Sequence, residues 1–232
     1  MSTEKKEQKN KGEASFVHKY LLVYNAASAG AWAYVAYKVV ANAKNYATTY
    51  SEIGDYLLVV QTFALLEILH SIFKLVRSPV TTTIMQISSR LTMVWLVADQ
   101  YKSVTSSWAY STMAFAWALT EIIRYGYYTL NLMGSDSDYF WFLTFCRYHF
   151  FYVLYPLGAY SEYVLIQKAH AIAKENTEQS QIATFFNICL WIWPPGFYVM
   201  YTHMQKQRAK FIKSGILEAK EAKEAGGAAK KN

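Results

Sequence analysis

A chain of 232 residues that is 53% hydrophobic and 17% aromatic has a mean hydropathy of only +0.04, so its polar residues must be concentrated. They lie at the ends: residues 1–15 and 205–232 are rich in Lys and Glu, while the interior gathers its apolar residues in runs of about 20, too apolar for a soluble domain and suited to a polytopic helical membrane protein. The net charge of +7 sits in tails flanking these runs rather than among surface aromatics, which points to anionic lipid headgroups and away from nucleic acid.

Runs long enough to cross a hydrocarbon layer fall near 17–40, 56–76, 80–100, 107–131, 140–166 and 182–204. Residues 1–15 lack an apolar stretch, so no signal peptide is expected. The breaks have physical causes. Asn42 to Asp55 is polar, Ser78-Pro79 ends one helix and starts the next, Gly134-Ser135-Asp136-Ser137-Asp138 is a turn cluster, and 167–181 is polar and charged. Pro194-Pro195-Gly196 is expected to bend or break the sixth run. The expected fold is all-α, with a disordered basic tail over 1–15, a six-helix transmembrane domain over 16–205 and a charged tail over 206–232.

An even number of spans puts both termini on one side, and the side with more Lys and Arg is cytosolic. The tail side carries Lys5, Lys6, Lys9, Lys11, Lys19, Lys74, Arg77, Lys206, Arg208, Lys210 and Lys213. The other side carries only Lys38, Lys44, Lys102, Lys168 and Lys174, so the termini are expected in the cytosol. The C-terminal Ala229-Lys230-Lys231-Asn232 is similar to a dilysine retrieval signal, one place out of register.

Several chemistries are excluded. Cys146 and Cys189 lie in apolar runs, where a thiol behaves as a small hydrophobe, and no disulfide framework is expected. The five histidines are scattered, and Glu67-x-x-His70, half of a di-iron motif, has no second copy, so no metal is expected. No Gly-rich phosphate loop is present, so no nucleotide cofactor is expected either.

The informative residues are charges inside apolar runs: Glu67, Arg90, Glu121, Arg124, Arg147 and Glu162. Each costs on the order of 3 kcal/mol at mid-membrane, so all six are expected to face the bundle interior and pair. Helical spacing places Glu67, His70 and Lys74 on one stripe, Gln86 and Arg90 on another, and Glu121, Arg124, Tyr125 and Tyr128 on a third. In the fifth run Tyr148, Tyr155 and Glu162 recur every seven residues, with Pro156 and Gly158 between the last two. A phenol and a carboxyl on one face, deep in a membrane, suit acid–base chemistry on a lipid-like substrate.

These segments resemble the very-long-chain 3-hydroxyacyl-CoA dehydratases, also called protein tyrosine phosphatase-like proteins, over about residues 17–213. The pieces are Tyr24-Asn25 with Gly30-x-Trp32, Leu66-Glu67-Ile68-Leu69-His70 with Val76-Arg77-Ser78-Pro79, and Gln86-Ile87-Ser88-Ser89-Arg90. They continue in Trp117-Ala118-Leu119-Thr120-Glu121-Ile122-Ile123-Arg124-Tyr125, Arg147-Tyr148 and Leu154-Tyr155-Pro156-Leu157-Gly158-Ala159-Tyr160-Ser161-Glu162. The resemblance implies that Tyr155 and Glu162 are the catalytic pair. It implies an endoplasmic reticulum hydro-lyase that dehydrates (3R)-3-hydroxyacyl-CoA to trans-2-enoyl-CoA, working beside the condensing enzyme and reductases of fatty-acid elongation. Either Glu162 is the base and Tyr155 the proton donor, which is preferred, or the roles are reversed.

The phosphatase of the second name fails on chemistry, because a phosphocysteine mechanism needs His-Cys-x5-Arg and Ser71 replaces the cysteine in His70-Ser71-x5-Arg77. A transporter would show related halves, which are not seen. The stronger rival is a catalytically silent scaffold of the elongation complex, which has no use for Tyr155 and Glu162 at that spacing. The anionic ADP portion of CoA must stay in water, so Lys74, Arg77, Lys206, Arg208 and Lys210 are the expected holders.

The charge count makes a topological prediction. Glycosylation acceptors inserted in 41–55, 101–107 or 167–181 should be modified, and acceptors in either tail should not; a modified tail, or an unmodified 167–181 segment, would reject six spans.

Overall fold

The polar breaks in the sequence become turns with identifiable chemistry. In the computed structural model, which describes residues 3–229 and the side chains of 15–215, every regular element is helical. The helices are α1 (Thr3–Ala41), α2 (Thr49–Phe63), α3 (Leu65–Ile72), α4 (Val80–Leu91), α5 (Trp108–Leu132), α6 (Asp138–His149), α7 (Phe151–Glu175) and α8 (Ser180–Ala229). Lys230-Lys231, the retrieval-like pair, lies outside the described residues. Ser107 and Ser137 cap α5 and α6, their hydroxyls accepting from the backbone N–H of Ala109 and Phe140.

Two helices end in the same way with different residues. After α5 the chain turns left-handed at Gly134 (φ 64°), and the N–H groups of Gly134 and Ser135 donate to the carbonyls of Asn131 and Leu130. After α3 the same paired bonds run from Lys74 to Ser71 and from Leu75 to His70, but the left-handed residue is Lys74 (φ 55°). A side chain there costs on the order of 1 kcal/mol, which Gly134 avoids.

Ala64 and Phe150 keep near-helical dihedrals, so α2 runs on into α3 and α6 into α7. Helix α4 continues as a wider π-helical turn over Thr92–Ala98, immediately after Arg90 and Leu91. Among the described residues eight helices thus make six rods that follow the six apolar runs, α1 and α8 running on into the tail segments, with three further corrections. The second rod begins at Thr49 rather than 56, because Thr49, Ile53 and Gly54 are buried and pull the polar stretch into the bundle. The fifth extends to Glu175, since Ala169 and Ala173 are packed in the core, leaving only Asn176–Gln179 outside the flanking helices. Pro194 and Pro195 do not break α8; they remove the donors for the carbonyls of Leu190 and Trp191 while the helix continues.

Helix α5 is the axis. It packs along α1 and against α7, with α7 in turn against α8. Close approach is possible because Ala109, Ala114, Ala116 and Ala118 present almost no side chain at the interface. The outer surface is apolar: Trp191, Tyr198, Val153, Val23 and Phe16 are all more than two-thirds exposed. Two segments, Ala43–Ile72 and Thr177–Gly215, are long and apolar enough to cross a membrane by length and composition alone.

Charge runs through the interior of this apolar bundle. Glu121 of α5 is completely buried and accepts from Arg90 Nη1 of α4 on one oxygen and from Arg124 Nε (2.6 Å) on the other. Arg124 then grips Glu67 of α3 with both terminal nitrogens, at 2.6 and 2.7 Å, and the Tyr125 hydroxyl donates to the same Glu67. Two acids and two arginines therefore balance across three helices. Glu162 and Arg147 do not join them, contrary to the expected pairing of all six charges: among the described residues neither has an opposite charge within ion-pair distance.

Glu121→Gln leaves two guanidiniums short of a counter-charge, and truncating one partner of such a network costs about 3–5 kcal/mol. Its detergent-solubilised protein should melt well below the parent, whereas Lys74→Gly should melt slightly above it. An unchanged midpoint for Glu121→Gln would contradict the network.

Candidate active site

The seven-residue stripe on the fifth rod meets α8 along its length. Tyr148 stacks on Phe211 (ring centroids 4.0 Å apart), Tyr155 on Phe197 (5.2 Å) and, less closely, Tyr201 (6.3 Å), and Glu162 meets Trp193. Running up α7 while running down α8 is the pairing of antiparallel neighbours. Gly158, one turn before Glu162, faces α5 with room for a methyl group: a Cβ there would make ordinary contacts, 3.6 Å from the Ala116 Cβ and 3.8 Å from the Trp117 ring.

The two carboxylate oxygens of Glu162 are each occupied. Trp117 Nε1 of α5 donates to Oε1 at 2.7 Å, and Trp193 Nε1 of α8 donates to Oε2 at 3.1 Å. The Tyr155 hydroxyl, by contrast, takes part in no side-chain hydrogen bond among the described residues, while its ring stacks on Phe197 and Tyr201. Arg90 links this pair to the buried network: its guanidinium lies over the Trp117 ring at 4.9 Å and is within Coulombic range of both Tyr155 and Glu162.

A cavity of about 650 Å3 opens beside these residues, between α1, the α3–α4 turn, α5, α6 and α8. Tyr155 and Glu162 do not line it; their neighbours Leu154 and Arg90 do. Its lining includes Asn25, Gln61, Glu67 and Arg124, together with Arg77, Arg147, Tyr148 and His203. Of the five basic residues expected to hold CoA, only Arg77 lines the cavity. Lys74, Lys206 and Lys210 are exposed elsewhere, and Arg208 lies over Tyr152 and donates to His149 Nε2 at 3.3 Å.

Arg77, Arg90 and Arg124 in the lining are joined by two basic residues, Arg147 and His203, whose place there was less visible in the sequence. Arg147 was legible as a buried charge, but its placement by Tyr127 and Tyr128, with its Nη2 donating to the Tyr128 hydroxyl at 3.0 Å, depends on the α5–α6 packing. His203 carried no local signal. The phosphatase-like residues have structural partners: Ser71 and Ser78 share a hydrogen bond at 2.6 Å, and His70 shares one with the Tyr20 hydroxyl at 2.7 Å. Gln61 is buried at 1% exposure, yet its Oε1 has no partner. Among the described residues no group of three metal-ligating side chains converges.

Comparison with known proteins gives a consistent result. The protein tyrosine phosphatase-like protein family, PTPLA, matches by its profile over residues 61–214. A Schizosaccharomyces pombe protein named probable very-long-chain (3R)-3-hydroxyacyl-CoA dehydratase is 40% identical, covering 84% of this chain and 93% of its own. An Arabidopsis thaliana very-long-chain (3R)-3-hydroxyacyl-CoA dehydratase, PASTICCINO 2, is 34% identical over 83% of this chain and 92% of its own. The Homo sapiens very-long-chain (3R)-3-hydroxyacyl-CoA dehydratase 2 is 33% identical over 83% and 80%. No solved structure matches. With a family profile spanning most of the chain and relatives aligned nearly end to end, the chain belongs to the protein tyrosine phosphatase-like, PTPLA, family.

Proposed function

We propose that this protein is a very-long-chain (3R)-3-hydroxyacyl-CoA dehydratase, a hydro-lyase of fatty-acid elongation, with Tyr155 and Glu162 as its catalytic pair. The observation that carries the reading is the contrast between them: a carboxylate held by two donors, and about two turns away on the same helix face a phenol whose hydroxyl is uncommitted. The relatives' names supply the reaction class.

Elimination from a 3-hydroxyacyl thioester needs a base at C2–H, a proton for the departing oxygen, and stabilisation of charge on the thioester carbonyl. Glu162 takes the C2 proton, the electron pair closes the C2–C3 double bond, and the hydroxyl leaves with the proton of Tyr155 as water. The proton gained by Glu162 is then returned to the phenolate, restoring both groups. Seven residues separate the two by about 10.5 Å along the helix axis, a distance side chains can narrow around an extended acyl chain. Arg90 supplies positive potential beside the pair and ties it to Glu121.

The cavity is the approach for CoA. Arg77, Arg147 and His203 in its lining suit phosphates, and Gln61 Oε1, buried without a partner, can accept from an amide N–H of the pantetheine arm. The apolar outer surface and the basic tails support six spans in the endoplasmic reticulum membrane with both termini cytosolic. The condensing enzyme and the two reductases of the cycle are the partners that this chemistry implies.

Two measurements test the reading. Tyr155→Phe and Glu162→Gln change little volume, so each should remove most turnover of a 3-hydroxyacyl-CoA while the protein stays folded; near-normal dehydration by either would refute the assignment, and an inactive parent would leave the scaffold. For CoA, Arg147→Gln should raise KM on the order of tenfold, and the parent's KM should rise with salt as phosphate contacts are screened. An unaltered KM in both experiments would move the phosphates elsewhere.

A further inference from the structure

Three carboxylates stand inside the bundle, Glu121 buried and Glu67 and Glu162 half-buried, and one is held differently. Glu121 is held between two guanidiniums, and Glu67 is gripped by a third contact set from Arg124 with a tyrosine hydroxyl. Both are neutralised by full opposite charges. Glu162 is held only by neutral N–H groups, one on each oxygen.

An indole nitrogen donates and cannot accept. It therefore presents its hydrogen to a lone pair, which stabilises the carboxylate form of its partner and cannot take a proton from it. A guanidinium does the first as well, but its charge also makes the carboxylate a poorer proton acceptor. Two indoles orient an anion without cancelling it. They come from different helices, Trp117 from α5 and Trp193 from α8, so the carboxylate of α7 is fixed from both sides. The same two elements complete the rest of the arrangement. Trp117 also carries Arg90 on its ring face, and Phe197, one turn beyond Trp193, stacks on Tyr155.

We infer that Trp117 and Trp193 are positioning residues that clamp Glu162 as an oriented, charge-retaining carboxylate, and that this clamp assigns Glu162 the role of base and Tyr155 that of proton donor. The inference rests on the proposed elimination, since a base needs a reaction to serve. It separates the two assignments that the seven-residue spacing leaves open. A general acid in the position of Glu162 would need an oxygen free to carry a hydrogen toward the substrate, and it would gain nothing from donors on both oxygens. Tyr155, with its ring held and its hydroxyl uncommitted, suits the donor.

The test uses full-length protein in nanodiscs. Trp117→Phe and Trp193→Phe keep an aromatic ring, so Arg90 retains a face to stack on, and remove one N–H each. Each should lower kcat about 10- to 100-fold with KM within twofold, the double variant further, since a carboxylate released from its clamp is less often aimed at the C2 proton, a loss felt in turnover rather than in binding. A purely structural tryptophan would instead lower the melting temperature and the active fraction while leaving kcat per active site unchanged. Labelling the indole nitrogens gives one resonance for each of the seven tryptophans, and the two Phe variants assign Trp117 and Trp193. Replacing the acceptor by Glu162→Gln, or drawing it back by Glu162→Asp, should move both of these resonances and leave the others in place. Resonances that stay put in both Glu162 variants, or Phe variants with parental kcat, would overturn the clamp. A parent with no dehydratase activity would overturn the proposed function, and the catalytic role of the clamp with it, even where the resonances report both hydrogen bonds.

Discussion

A charge inside an apolar bundle must be compensated close by, because it is largely cut off from bulk water and from distant counter-ions. The chain from Arg90 through Glu121 and Arg124 to Glu67 meets this constraint by linking α4, α5 and α3. Apolar contacts alone specify such a bundle poorly, since in a lipid-like environment one leucine face is much like another. The network has one satisfied arrangement, and that arrangement sets the register of three helices against each other. It also places Arg90, whose guanidinium is the point of contact between this scaffold and the Tyr155 and Glu162 pair.

The same constraint separates structural from chemical groups. A carboxylate neutralised by arginine is a joint. One held by neutral donors keeps its charge available, and in this protein it lies next to a phenol with an uncommitted hydroxyl. The two unpaired members of the six charges, Glu162 and Arg147, lie where, in the proposed function, a substrate would supply what is missing. Glu162 would meet a C–H to deprotonate, and Arg147 faces a cavity that an anion can enter. Failure of the simple expectation that all six charges pair is therefore informative about function.

Helix α8 has a larger part than its apolar composition suggests. Its Trp193, Phe197, Tyr201 and Phe211 meet the fifth rod successively, and its Met200 and His203 close one side of the cavity. Pro194 and Pro195 lie between the residue that holds Glu162 and the one that stacks on Tyr155. They interrupt the backbone ladder there without ending the helix, because the aromatic contacts on either side hold both halves against α7.

Much of this protein is local and so could be read from its sequence. Apolar run length set the six rods, the Gly134 turn cluster marked the end of α5, and the buried charges were visible because Glu67, Arg90, Glu121 and Arg124 stand in otherwise apolar runs. The helical face shared by Tyr148, Tyr155 and Glu162 follows from their seven-residue spacing, and the resemblance carried by those motifs agrees with the family to which the chain belongs. Helix ends were legible where Pro, Gly or a polar break marked them, as at Ala41, Trp108 and Leu132; Thr49 and Ala173 are placed by burial against other helices, which leaves no local mark. Tertiary structure alone decided which charges pair, that two tryptophans 76 positions apart (193 − 117) converge on one carboxylate, and that Arg147 and His203 rather than the tail lysines face the cavity. The reason is physical: periodicity tells which face of a helix a residue occupies, but the neighbour that face meets is chosen by the packing of all the helices together, where distant residues compete to satisfy the same few buried polar atoms.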